Sequence, residues 1–398
     1  MIHPDDAIRL INEQGCRLGS ETVVLAEALG RIPARAVAAR LDQPGFDKAT
    51  MDGFAYRAAD GAMADAGAGF ELVDSIPAGS PPPAPLAAGR CARIMTGAPL
   101  PEGASAVHRL ERAEASGGRV YLSSREDDLN IVRRGANRRS GDPLVSRRPL
   151  RPQDIALLAS DGLADIEVVA RPRVAVISTG CELRPAGDDL ALGSIYDSNG
   201  PLLASLAREA GCAAAFAGIV TDDEGALVEA VSSASRSADL ILLSGGVSAG
   251  DFDFVPAALE RLGFGILFHK VAVRPGKPFL FARRGALFAC GMPGNPVSAF
   301  IDFKLFVMPL IMRFAGLPYA PPLAYARMGA AAERAAAERE AADRVEFLPV
   351  ELREGRAYPL RYTGSTMLDV LSRADAFVRL EIGQREIPEG AEAIARLV

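Results

Sequence analysis

Two acids, Asp251 and Asp253, follow a glycine turn in the stretch DLILLSGGVSAGDFDF (239–254). That order of residue types suits the gripping of a phosphate together with a cation. The apolar run 240–243 has the length and content of a strand buried on both faces. Ser244, Gly245 and Gly246 break it, and beyond the acids Phe254, Ala258, Leu259 and Leu262 recur at helical spacing. Strand, glycine turn, acids, helix is how an open α/β sheet builds a pocket at its carboxyl edge. Glycines let a ligand approach the backbone, whose N–H groups can meet an anion. Asp253 would then hold a cation rather than the phosphate itself. Taken alone, the stretch is explained about as well by an ordinary turn with solvated acids.

Other junctions deliver polar groups of the same kinds. One strand ends in Ser178-Thr179-Gly180-Cys181-Glu182, and the next is followed by Asp222, which could equally cap its own helix. Asp197-Ser198-Asn199 stands just ahead of Pro201, where a capping role suffices as an explanation. Lys270 and Arg274 share parity on an extended run, so both can face one way, and Lys277 follows within PGKP. In GMPGNPVS (291–298), Asn295 is placed as N-cap, Pro296 in the first helical turn, and Gly294 beside them. Singly these are weak signals. Together they put acids for a divalent ion, cations for phosphate and backbone donors on one rim. Glu182 and Asp253 suit a hard ion such as Mg²⁺. Neither a Walker A loop nor a G-x-G-x-x-G fingerprint occurs, which disfavours ordinary NTPase and dinucleotide chemistry.

The elements that carry these groups alternate strand and helix over residues 173–300. Strands are expected at 174–178, 214–220, 240–243, 265–273 and 286–290, with helices at 201–210, at 223–237 and from Pro296. That rhythm implies parallel β-α-β units. Upstream, residues 5–14 and 152–162 read as helices. Short strands fill 42–142, among them FELVDSI, RCARIM, AVHRLE and RVYL. After a proline-rich linker at 317–323, short strands return and suggest a small terminal β-barrel. The fold class is therefore α/β multidomain. The division is 1–20 with 171–317 as the α/β domain, 21–41 with 142–170 connecting, 42–141 an inserted β-rich domain, and 318–398 the barrel.

A length of 398 residues with 49% hydrophobic and 24% charged content fits a globular protein of several domains. Net charge of -6 argues against a nucleic-acid or membrane-surface binder. Cys16, Cys91, Cys181, Cys212 and Cys290 form neither a disulfide framework nor a zinc pattern, which points to a reducing, cytoplasmic setting. With only His3, His108 and His269, histidine-based metal or triad chemistry is poorly supplied.

Seven motifs occur in order: TMDGFA (50–55), RIMTGAPLPEGA (93–104), STGCEL (178–183), IYDSNG (195–200), SGGVSAGDFD (244–253), RPGKP (274–278) and GMPGNPVSA (291–299). Together they resemble the molybdopterin molybdenumtransferase family, which includes the bacterial MoeA proteins and the gephyrin E domain. The resemblance implies a Mg²⁺-assisted transferase that inserts molybdate into adenylylated molybdopterin with loss of AMP. It implies a homodimer sharing its cleft between subunits, with molybdopterin adenylyltransferase and recipient molybdoenzymes as partners, and neither nucleic acid nor membrane. By the same resemblance, nucleotide and phosphates lie against Ser178, Gly180, Asp222, Gly245, Gly246, Ser248, Gly250, Pro293, Gly294, Asn295 and Pro296. Glu182 and Asp253 hold the ion, and Lys270, Arg274 and Lys277 face the anions. Asp52 and Thr96 close the cleft from the partner subunit. The chain departs from the family pattern at Val132, Ala136 and Asn137, where an arginine, a glutamate and an aspartate are usual, and Arg133 or Arg134 would have to replace the missing cation. These departures motivate an alternative: a catalytically weakened paralogue that carries molybdopterin or the finished cofactor, or acts as a scaffold. Adenylylation of molybdopterin is disfavoured, because the enzyme for that step resembles the central domain alone.

Overall fold

A computed structural model of the chain describes residues 1–81, 84–123, 126–247, 254–335 and 342–398. They pack as two compact units, one of residues 1–21, 30–32 and 168–398, the other of 22–29 and 33–167.

The first unit is built on a six-stranded sheet. Its spatial order is Ala213–Val220, Arg173–Thr179, Leu240–Ser244, Leu287–Met292, Leu280–Arg284, Gly265–His269. Leu240–Ser244 is central because Leu240, Ile241, Leu242 and Leu243 are all fully buried. Each such side chain contributes roughly 1.5–3 kcal/mol by leaving water. Alternation along the strand splits them between two cores. Leu240 and Leu242 pack with Val176, Phe281 and Phe288 beneath the helices Pro4–Asn12, Asn199–Glu209 and Pro296–Asp302. Ile241 and Leu243 pack with Ile177 beneath Glu224–Ala234 and Phe254–Arg261.

The first four strands are parallel, as the alternation of elements requires. The other side of the sheet differs from the sequence expectation. Leu280–Arg284 is an additional strand, antiparallel to both of its neighbours and joined to Leu287–Met292 by a turn at Gly285, where φ is +61°. The expected strand 265–273 also divides. It stops at His269, because Lys270 takes a positive φ of +70°. After that break Val273–Arg274 pairs with Val345–Arg353 in a different sheet.

That second sheet is the terminal barrel. Val345–Arg353, Arg356–Pro359, Leu323–Met328, Glu392–Leu397 and Ala376–Leu380 pair in sequence, and the last returns to the first. Closure leaves no edge among these five strands. Met328, Val350, Ala357, Val378 and Ala395 fill the interior.

The other unit centres on a six-stranded mixed sheet in the order Ala106–Arg109, Gly53–Tyr56, Arg90–Ile94, Phe70–Ile76, Arg119–Leu122, Ala113–Ser116. Ala55, Ala92, Ile94 and Val107 form a core on one face, and Phe54, Tyr56, Phe70, Cys91 and Val120 one on the other. The helix Pro152–Ser160 is fixed at its start by Asp154. That carboxylate accepts from Arg148 at 2.5 and 2.7 Å and from the Arg151 backbone at 2.8 Å.

Candidate functional site

Three parallel strands, Arg173–Thr179, Leu240–Ser244 and Leu287–Met292, end side by side, with Ser244 opposite both Ser178 and Met292. Their carboxyl ends open into a cavity of about 610 Å³. Gly180, Glu182, Asp222, Gly245, Gly246, Pro293, Gly294, Asn295 and Pro296 all line it, so nine residues picked out in the sequence converge on one cavity. Another cavity of about 560 Å³, lined by residues such as Tyr319, Phe347, Phe377 and Arg396, holds none of them.

The glycine turn is enforced by close packing. At Gly245 φ is +94°, and a Cβ there would lie 2.4 Å from the Thr179 carbonyl oxygen. Its N–H donates to the Met292 carbonyl at 3.2 Å, which ties the two turns together at their base. Only glycine meets both conditions.

Two acids meet at the same cavity. Asp223, not Asp222, caps the helix Glu224–Ala234, its Oδ1 accepting from the Ala226 N–H at 2.8 Å. Asp222 is thereby left to turn toward the cavity, where its Oδ2 accepts from the Cys181 N–H at 3.1 Å. Ligand atoms of Cys181, Glu182 and Asp222 all lie within 4.8 Å of one another. Two carboxylates so placed fit a small hard cation, which takes one or two protein carboxylates and fills its shell with water and phosphate oxygens. Asp253, expected to be the second acid, lies outside the described residues, as do Ser248 and Gly250.

Several expected residues stand elsewhere. Ser178 is fully buried behind the cavity wall, and the adjacent Thr179 lines the cavity instead. Lys270, Arg274 and Lys277 do not line it, although Pro278 does. The parity argument for Lys270 and Arg274 fails because the strand breaks at Lys270. Arg274 accordingly faces Glu346 of the barrel, Nε to Oε1 3.5 Å, and Lys277 is exposed.

Both asparagines read as caps do something further. Asn295 stands at the N-cap of Pro296–Asp302 without making the side-chain bond, and its amide donates to Ser365 Oγ at 2.8 Å. Asp197 Oδ1 accepts from the Gly200 N–H at 3.0 Å, as a cap does, whereas the Asn199 amide reaches Ser244 and the 293–294 turn. Sequence reasoning missed Ser244, Thr366 and Leu368 as cavity residues. The two from the barrel segment carry no local signal, since only tertiary packing brings them there.

In the other unit, the Thr96 N–H and hydroxyl both donate to Asp52 Oδ1 at 2.7 Å. Those bonds hold the Asp52 carboxyl below its ordinary range. Arg133 pairs with Asp47 at 2.5 Å and Arg134 with Asp42 at 2.6 Å, so each arginine near the altered positions already has an acid.

Residues 2–162 match the MoeA N-terminal region (domains I and II), 175–313 a probable molybdopterin binding domain, and 331–395 the MoeA C-terminal region (domain IV). Over 396 residues the chain is 34% identical to the molybdopterin molybdenumtransferase of Bacillus subtilis (strain 168), spanning 97% of this chain and 91% of that protein. It is 38% identical over 305 residues to the protein of that name from Nostoc sp. (strain PCC 7120), 75% of this chain and 70% of that one. A crystal structure of the molybdopterin biosynthesis MoeA protein from Pyrococcus horikosii matches with a TM-score of 0.88 at 31% identity, covering 100% of this chain and 99% of that one. A second such protein, from Pyrococcus horikoshii OT3, gives 0.84 at 26% identity with complete coverage of both chains.

Proposed function

Because this chain belongs to the MoeA family of molybdopterin molybdenumtransferases, we propose that it inserts molybdate into adenylylated molybdopterin and releases AMP. The observation that carries the reading is the meeting of the Glu182 and Asp222 carboxylates beside two glycine-bearing turns at one sheet edge. An adenylylated pterin presents a phosphoanhydride, and charge accumulates on its oxygens as it breaks. The Gly245–Gly246 turn lets phosphate oxygens approach the backbone closely, and the Gly246 N–H is suited to meet that charge. The Pro293–Pro296 turn supplies a rigid wall for the nucleoside. Glu182 and Asp222, with Asp253 as a further carboxylate, would hold Mg²⁺. When bound, that ion neutralises phosphate charge in the manner common to phosphoryl chemistry. Lys277, exposed beside Pro278, is assigned to draw in the anionic substrates. The homodimer belongs to the same proposal, with Asp52 and Thr96 completing the partner's cleft, as does the four-domain division of the chain.

The test is incubation of purified protein with adenylylated molybdopterin, Mg²⁺ and molybdate, following AMP. Release well above that of Glu182→Ala is expected. Equal release from the two proteins would refute the assignment.

One observation favours the second reading, a binding protein with weakened turnover. With Arg133 held by Asp47 and Arg134 by Asp42, neither is spare to replace the cation missing at Val132. Tight ligand binding without AMP release would select that reading over catalysis.

A further inference from the structure

The helix Asn199–Glu209 sits on a packed platform, with Leu203, Ala204, Leu206 and Ala207 buried in the core beneath it. Its first residue, Asn199, is 6% exposed. The Asn199 Nδ2 donates to Ser244 Oγ at 2.8 Å and to the Gly294 carbonyl at 2.7 Å, with the Pro293 carbonyl at 3.5 Å. Carbonyl oxygens only accept, so the chemistry of the partners fixes which end of the amide faces them. Asn199 is also released from capping, because Asp197 supplies the acceptor for the Gly200 N–H. One side chain on a rigid third element thus bonds both turns of the cavity, at the end of Leu240–Ser244 and after Leu287–Met292.

We infer that Asn199 is the positioning residue that sets the separation of the two ligand-facing turns. Among the described residues, and beyond the ladder that pairs the two strands as far as Ser244 and Met292, the other hydrogen bond linking the two turns is at the base, from the Gly245 N–H to the Met292 carbonyl. The strand ladder ends there, so the turns beyond it can splay, and the Asn199 amide adds a second tie that reaches Gly294. The role rests on the nucleotide reading of the cavity given above. Its physical basis is that a catalytic constellation must be held to about half an ångström by a supporting shell whose own rotamers are locked. Asn199 acts through Ser244 and Gly294 and need not touch the ligand.

The experiment compares Asn199→Ala, Ser244→Ala and the double variant with the parent protein. AMP affinity is measured by calorimetry in Mg²⁺, and KM and kcat are measured in the AMP-release assay. Hydrogen exchange is followed in peptides covering residues 244–247 and 293–295 of the ligand-free protein. Two ordinary hydrogen bonds correspond to roughly 10- to 100-fold in an equilibrium constant. Asn199→Ala is therefore expected to weaken AMP by about that factor and to raise KM more than it lowers kcat. Ser244→Ala is expected to weaken AMP by roughly threefold. The double variant should match Asn199→Ala alone, since Ser244 acts through the same amide. Exchange should quicken about tenfold in both peptides together. Unchanged affinity and exchange in Asn199→Ala, or a double-variant loss equal to the product of the single losses, overturns the inference. If Asn199→Ala does not fold, Ser244→Ala decides: parental AMP affinity and exchange in that variant overturn it equally. A parent protein that binds no AMP sinks the nucleotide reading instead. The exchange measurement then still tests the clamp, which fails unless both peptides loosen.

Discussion

Gly245→Ala is the substitution whose cost the structure fixes most closely. The added Cβ would stand 2.4 Å from the Thr179 carbonyl oxygen and 2.8 Å from its hydroxyl, against an ordinary carbon–oxygen contact of about 3.3 Å. Relief requires the turn or the Thr179 backbone to move by about 1 Å. An L-residue at φ +94° adds roughly 1–2 kcal/mol of its own. The sum is a destabilisation of about 2–4 kcal/mol, in the range that special backbone positions give. A displacement of 1 Å at a reacting centre lowers turnover by roughly a hundredfold. The natural control is Gly294→Ala, whose Cβ meets nothing closer than the Gly245 Cα at 3.9 Å. Urea denaturation followed by circular dichroism, with AMP release at saturating substrate, reads both quantities. Gly245→Ala should lose stability and turnover together, and Gly294→Ala should unfold within about 0.5 kcal/mol of the parent. Equal stability of the two variants would show that the Thr179 contact is not what demands glycine.

Asp302 is fully buried, neither of its carboxylate oxygens has a hydrogen-bond partner among the described residues, and burial pushes its carboxyl well above 3.8. The folded chain then keeps a proton that the unfolded chain sheds near pH 3.8, so stability falls as pH rises from there toward the folded-state value. Asp302→Asn should remove that slope, gaining on the parent by up to about 1.4 kcal/mol per pH unit in denaturation curves across pH 4–6. Parallel curves would show that Asp302 ionises as freely in the fold as out of it. The neighbouring acids divide their work: Asp223→Ala should cost about 1 kcal/mol of stability with AMP release retained. Asp222→Ala should do the reverse, and a shared phenotype in melting and assay would erase the distinction drawn between them.

The α/β rhythm was legible because strands buried on both faces read as unbroken apolar runs, Leu240 to Leu243 above all. The hairpin partner Leu280–Arg284 was missed although its sign is present. FLFARRGALFACGM is two apolar runs around an Arg-Arg-Gly turn, of which only the second was taken as a strand, at 286–290. The break at Lys270 has no such sign, since a positive φ at a lysine is imposed by tertiary structure. That single residue moved Arg274 from the expected rim to the barrel. Eight of the nine cavity residues were readable because glycine, proline and acid at strand ends serve the ligand through local backbone geometry, and Asn295 because it starts a helix there. Asn199 was read only as a cap because capping and cross-linking call for the same residue type at the same helix start. Likewise Asp222 and Asp223 are indistinguishable until the backbone decides which one faces the helix.

The proposed cation site sets an ion between Glu182 and Asp222, against the phosphate of an adenine nucleotide at the sheet edge. It is tested most directly by a crystal grown with AMP and Mn²⁺, whose anomalous signal marks the ion. A peak is expected at about 2.0–2.3 Å from oxygens of both carboxylates, with the AMP phosphate bound to it and lying over the Gly180 and Gly245 turns. An ion bound away from Glu182 and Asp222, or AMP seated in another cavity, would contradict it.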